Sequence, residues 1–218
     1  FGRAQHLASS DLRFETEVGA LEASEVVLCC VKSGATAETA QALARVLRPD
    51  AVVVSLQNGI RNAEILREHL PTQRVVAAVV GFNVIVHEGA VFQQTTTGPL
   101  VVEAEEGSPD DRWIAALRSA RLQVELATPI APEQWTKLVV NLNNAISALS
   151  GAPTPEMLLS AKYRRAMTLL LDEALGVLDR VLVLDEAQVE QLRLEADALC
   201  PVLRGRDVRR YAVSPVTK

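Results

Sequence analysis

Between residues 25 and 86 the sequence alternates short apolar runs with helical patterns. "EVVLCCVKS" (25–33) is continuously apolar until its polar end, which is the signature of a strand buried on both faces. "ATAETAQALARVLR" (35–48) follows with helix formers at helical spacing, and "PDAVVVSLQNG" (49–59) supplies a turn and a second buried strand. "RNAEILREHL" (61–70) reads as another helix and "RVVAAVVGFNVIV" (74–86) as one third strand. Few folds accommodate such a series. Parallel strands need long crossovers, and helical crossovers place helices on the faces of the sheet. The expectation is an α/β fold with a Rossmann-type doubly wound parallel sheet.

Further along, "GAVFQQTTTGPLVVEAEE" (89–106) reads as a short hairpin-like pair, "SPDDRWIAALRSA" (108–120) as a helix and "QVELAT" (123–128) as an edge strand. The pattern changes near residues 128–132. Beyond it come long helical periodicities, "PTPEMLLSAKYRRAMTLLLDEALGVLDRVLV" (153–183) and "EAQVEQLRLEADALCPVL" (186–203), without a strand pattern. The reading is therefore residues 1–130 as the α/β domain and residues 131–218 as an all-α C-terminal domain. The sequence begins without methionine and within a pattern, so both ends are expected to belong to a longer protein.

Composition narrows the function classes. A net charge of -5 with no basic block argues against nucleic acid or an anionic membrane as the main partner. No apolar run approaches the ~18 residues of a membrane-spanning helix. Cys29 and Cys30 are adjacent and point to opposite faces of a strand, Cys200 is distant, and the three histidines are scattered. That usage gives neither a disulfide framework nor a metal site and fits a reducing, cytoplasmic compartment.

Ligands of open α/β sheets bind beyond the carboxyl ends of the strands. Three such ends carry polar groups: "VKSG" with Lys32, "LQNG" with Asn58 and Gly59, and "GFN" with Gly81 and Asn83. Singly, a lysine after a strand is commonly a solvated charge and Asn-Gly a turn; three on one sheet argue for a shared ligand. In the helical half, "WTKLVVNLNNAISALSG" (135–151) places polar residues in what reads as a buried apolar helix. Lys137, Asn141 and Asn144 stand at i, i+4 and i+7, so both asparagines lie within about 40° of Lys137 around the helix. Such a stripe lines a site, or else a snorkelling lysine and helix-helix hydrogen bonds account for it. No G-x-G-x-x-G occurs. Arg3, in "FGR", would read a cofactor 2′-phosphate if this stretch ends the second strand of a dinucleotide fold.

Together "VLCCVKSGATAETA", "VVVSLQNGIRN", "VVGFNVIVHEGAVFQQTTTGPLVVE" and the W-x-K-L-x-x-N element closely resemble the ketopantoate reductase family (2-dehydropantoate 2-reductases) over roughly residues 25–179. The resemblance implies an NADP-binding Rossmann domain and a helical substrate domain. It further implies reduction of 2-dehydropantoate to (R)-pantoate with NADPH, a step towards pantothenate and coenzyme A. Residue by residue, Lys137 matches the catalytic lysine and Asn141 a substrate-binding asparagine. Lys32 and Asn58 match cofactor contacts, Asn58 also lying beside the substrate. Arg3 matches the 2′-phosphate arginine, and Gly59 belongs to the same cofactor loop. The family's second substrate asparagine falls where this chain has Ala145, so Asn144, one residue earlier, takes its place. The family's late serine and glutamate segment is not recognisable, and "YAVSPVTK" with Ser214 does not match it. The implied partner is a small 2-keto acid; the apolar periodicity of the helical half suits a homodimer. Two other readings are a reductase of another 2-keto acid and a non-catalytic nucleotide-binding relative.

Overall fold

The computed structural model describes residues 6–104 and 112–181. Arg3, Cys200, Ser214 and the expected helix at 186–203 lie outside the described residues. Two compact units share the chain, the first ending at Trp135 and the second beginning at Thr136.

In the first unit, β1 (Val26–Cys29) leads through a 3-10 turn (Ser33–Ala35) into α1 (Thr36–Ala44). Then come β2 (Val52–Ser55), α2 (Asn62–His69) and β3 (Arg74–Val80). β1 pairs with β2 in parallel, Val27 opposite Val53, and β2 pairs with β3 in parallel, Val53 opposite Val75. The two crossovers behave as the alternation of patterns predicts. Their helices share one face of the sheet, where Ala40 and Leu43 of α1 and Ala63 and Leu66 of α2 pack over Val27, Val53, Val75 and Ala77.

Past β3 the sequence expectation needs correction. "RVVAAVVGFNVIV" is not one strand: it breaks after Val80, and β4 (Val84–His87) leaves the sheet to pair with β5 (Val91–Gln94) in a two-stranded ribbon. β6 (Leu100–Glu103) returns antiparallel to β3, with Val79 opposite Val101. The strands in 89–106 therefore do not pair with each other. The cause is local backbone packing. Gly81 N–H donates to the Pro99 carbonyl at 2.8 Å, and a Cβ on Gly98 would stand 2.1 Å from the Gly81 carbonyl oxygen. Only two glycines allow backbones this close, and the contact turns the chain out of the sheet.

α3 (Arg112–Ser119) and β7 (Val124–Ala127) complete the unit. β7 is the edge strand expected, parallel to β6, giving the order β1-β2-β3-β6-β7 with one antiparallel junction. Ile114 of α3 packs on the second face with Val54, Val76, Val102 and Val124, with Trp113 and Leu117 beside them. Helices thus cover both faces, as in a doubly wound sheet. Where β6 runs out, the Glu103 carboxylate accepts the Ala77 N–H at 2.9 Å and is held by Arg67. The side chain continues the ladder that the backbone no longer supplies.

α4 (Ala131–Ser150) is one uninterrupted helix, entered through a cis Thr128–Pro129 peptide. The helical pattern of 153–183 divides at Ser160, whose extended backbone (ψ 122°) separates α5 (Thr154–Leu159) from α6 (Ala161–Val181). α5 packs on α6, and Met157, Met167 and Leu171 are buried.

The Gly81–Gly98 contact makes a direct prediction. Gly98→Ala should destabilise the first unit by about 2–4 kcal/mol in urea unfolding, since neither backbone can yield without shifting a strand. Gly19→Ala meets no atom within 4 Å and should stay within about 0.5 kcal/mol.

Candidate functional site

The carboxyl ends of β1 and β2 are neighbours because the strands pair in parallel, with Cys29 opposite Ser55. Lys32 follows β1 in extended backbone (φ -62°, ψ 143°) at the entrance to the 3-10 turn, and it is exposed. Asn58 and Gly59 follow β2 and are also exposed. The two segments touch: Ser33 Oγ donates to the Asn58 carbonyl at 3.2 Å. Gly59 has φ +107°, a conformation that L side chains rarely adopt, and this carries the chain from Asn58 toward α2. Gly59 is therefore fixed by backbone demand as well as by its place beside Asn58.

Beneath this exposed rim lies a group of buried polar side chains that pattern reading missed: Thr36, Ser55, Gln57 and Asn62. Gln57 uses its whole hydrogen-bonding capacity. Its Oε1 accepts from Ser55 Oγ at 3.1 Å and from the Cys29 thiol at 3.6 Å. Its Nε2 donates to the Val31 carbonyl at 3.0 Å and to Thr36 Oγ1 at 2.7 Å. Thr36 Oγ1 in turn donates to Asn62 Oδ1 at 3.1 Å. Asn62 Nδ2 then donates to Ser33 Oγ at 3.1 Å and to the Asn58 carbonyl at 2.8 Å. The signal was present: Gln57 precedes the Asn-Gly turn and Asn62 opens a helix. Turn and helix readings absorbed both, because burial is a tertiary property.

The third strand end behaves differently. Gly81 is consumed by its contact with Gly98, and the Asn83 backbone is tied to the ribbon: its N–H donates to Thr96 Oγ1 at 2.8 Å and its carbonyl accepts Thr95 N–H at 2.9 Å. These are structural duties. The backbone of the third strand end is thus engaged in the ribbon and its crossing, unlike the exposed turns after β1 and β2.

In the second unit, Lys137 and Asn141 are partly exposed and Asn144 is exposed. Asn144 Nδ2 donates to Asn141 Oδ1 at 3.4 Å, so the stripe is continuous along its amides. Val139 and Ile146 are the buried residues of α4, and they stand about 180–200° from Lys137 around the helix. The structure corrects the picture of a wholly buried apolar helix: Val140 and Leu149 are exposed, the latter at 91%. Asn143 and Ala145 lie off the stripe or at its exposed edge, Asn143 being partly exposed and Ala145 exposed.

Among the described residues no cluster of His, Cys, Asp or Glu could hold a metal ion, and no helix is long and apolar enough to cross a membrane. Cys29 and Cys30 are free, the first buried and the second exposed. Burial pushes the Cys29 thiol above its ordinary value, and the neighbouring Cys30 adds to the rise.

Two predictions follow from this geometry. Gly59→Ala should cost about 1–2 kcal/mol in chemical unfolding, because a Cβ is strained at positive φ and meets Asn62 Nδ2 at 3.3 Å. The fold holds the Cys29 proton more tightly than the unfolded chain does. Its contribution is therefore complete below the ordinary thiol value of 9.0 and is lost as pH rises past it. The stability difference between wild type and Cys29→Ser, measured from pH 7 to 10, should narrow at the alkaline end; a constant difference would contradict the assignment.

Comparison with known proteins places these elements in context. A family profile described as ketopantoate reductase PanE/ApbA matches residues 3–107, and its C-terminal companion matches residues 129–202. The chain is 31% identical over 140 residues to a 2-dehydropantoate 2-reductase of Halobacterium salinarum, covering 62% of this chain and 46% of that protein. It is 26% identical over 182 residues to one of Mycobacterium tuberculosis, covering 83% and 57%. It therefore spans about half the length of these curated relatives. Among solved structures, a PanE/ApbA family ketopantoate reductase from Ralstonia eutropha superposes with a TM-score of 0.69 at 26% identity, over 91% of this chain and 67% of that one. D-mandelate dehydrogenase, solved with NADH, shares the fold at 12% identity, with a TM-score of 0.64 over 87% and 67% of the two chains. With profiles matched in both halves, the chain belongs to the ketopantoate reductase family.

Proposed function

We propose that the full-length protein is an NADPH-dependent oxidoreductase that reduces the ketone of 2-dehydropantoate to the hydroxyl of (R)-pantoate. The observation that carries this reading is the family match on both halves of the chain, over the segments that hold Lys32, Asn58, Lys137 and Asn141. A nicotinamide dinucleotide supplies the hydride. The chain's own part is to bind, orient and donate.

Lys32, Asn58 and Gly59 take the cofactor role. Their support is the shared exposed rim at two adjacent strand ends, where a dinucleotide meets open α/β sheets. Arg3 extends the role to the 2′-phosphate that distinguishes NADPH. Lys137 supplies a cation and a proton where negative charge develops on the ketone oxygen, turning an alkoxide into the product hydroxyl. Asn141 and Asn144 hold the substrate's polar groups without adding charge, and their mutual hydrogen bond supports action as a pair. Asn58 also takes the role of a substrate contact. Placement in pantothenate biosynthesis, a cytoplasmic setting and a homodimer complete the proposal. Ala145, at the family's second asparagine position, favours one alternative, a different 2-keto acid on the same machinery.

Oxidation of NADPH by the full-length protein should proceed with 2-dehydropantoate at a higher kcat/KM than with any of a panel of 2-keto acids. A better substrate in that panel would replace the proposed one. Lys137→Ala should lower kcat by roughly 100- to 10,000-fold, the usual weight of a general acid, with NADPH affinity changed only a fewfold. A variant that turned over at the wild-type rate would remove Lys137 from the mechanism.

A further inference from the structure

Polar side chains are costly to bury, and a fold needing only a packed junction between two strand ends would fill it with apolar groups. Here Gln57, Thr36 and Asn62 are buried at that junction and linked in series. Both ends of the series terminate on backbone carbonyls. Gln57 holds the carbonyl of Val31, immediately before Lys32, and Asn62 holds the carbonyl of Asn58 itself. Ser33 closes the loop, accepting from Asn62 and donating to the same Asn58 carbonyl. The middle member is a single hydroxyl: Thr36 Oγ1 accepts from Gln57 at 2.7 Å and donates to Asn62 at 3.1 Å.

We propose that Gln57, Thr36 and Asn62 are positioning residues, a buried hydrogen-bond relay that fixes Lys32 and Asn58 relative to each other and so sets the dinucleotide-binding rim. The inference rests on the reading of Lys32 and Asn58 as cofactor contacts given above. None of the three need touch the ligand. Gln57 and Asn62 each hold a main-chain carbonyl whose position orients an exposed side chain, and Thr36 couples the two. The relay is also directional. Every Gln57 donor and acceptor is committed, so the Thr36 hydroxyl cannot turn to another partner without leaving a buried group unpaired.

Thr36→Val nearly preserves shape and removes the hydroxyl, whereas Thr36→Ser retains it. In the full-length protein, two readouts are taken: NADPH affinity by fluorescence titration, and amide hydrogen exchange of the segments 31–36 and 57–62. Thr36→Val should weaken NADPH binding about tenfold, the order expected from one well-made buried hydrogen bond, and speed exchange in both segments together. Thr36→Ser should return both to within about twofold of wild type. If Thr36→Val does not fold, Ser33→Ala removes an exposed link of the same circuit and should weaken NADPH binding about threefold with faster exchange at 57–62. Wild-type exchange in a folded Thr36→Val protein, or equal loss in Thr36→Ser, overturns the relay. If instead the exchange changes as expected but wild type binds no NADPH, the relay stands and the cofactor reading fails.

Discussion

The four hydrogen bonds of the Gln57 amide are the interaction on which the arrangement of the β1 and β2 carboxyl ends depends. An amide buried between two strand ends is tolerable only if all four of its sites are filled. Filling them draws in Cys29 and the Val31 carbonyl from the β1 side, Ser55 from β2 and Thr36 from α1. Through Thr36 the connection reaches Asn62 at the start of α2 and returns to the Asn58 carbonyl. One side chain thereby ties together two strands and two helices. The exposed Lys32 and Asn58 stand on backbone that this core of polar contacts holds in place.

The parallel pairing of β1 and β2 makes the arrangement accessible to the chain. Parallel strands bring equivalent carboxyl ends side by side, and the crossover helix α1 begins beside the end of β2. Apolar packing on either face then locks the strands without involving the rim. Elsewhere the fold meets comparable demands by different means. At the Gly81–Gly98 crossing the absence of side chains permits backbone contact, whereas at the end of β6 a carboxylate stands in for a missing ladder carbonyl.

The helical unit presents a simpler division. Val139 and Ile146 turn inward, and Lys137, Asn141 and Asn144 occupy the opposite face of α4. That segregation is the ordinary amphipathic logic of a helix, with a continuous amide-bearing stripe in place of scattered charges.

What the sequence determined by itself is whatever depends on local periodicity. The strands β1, β2 and the start of β3 are written in short apolar runs, and the crossover helices, the edge strand β7 and the polar stripe of α4 in local spacing; β1, expected to be buried on both faces, buries only one, with Leu28 48% exposed at the edge of the sheet. The W-x-K-L-x-x-N element carried the family in the same local way. What only tertiary structure decided depends on atoms distant in sequence. The strand break at Gly81 arises from Gly98, seventeen positions on; the antiparallel return of β6 follows from that crossing. The long helical pattern after Pro153 shows no break in its periodicity, and the interruption at Ser160 is visible only in backbone angles. Gln57 and Asn62 read locally as turn and helix-start residues. Their burial, and hence their hydrogen-bonded link to Thr36, exists only once β1 and β2 lie side by side, because a polar group needs a buried partner only after water has been removed from it.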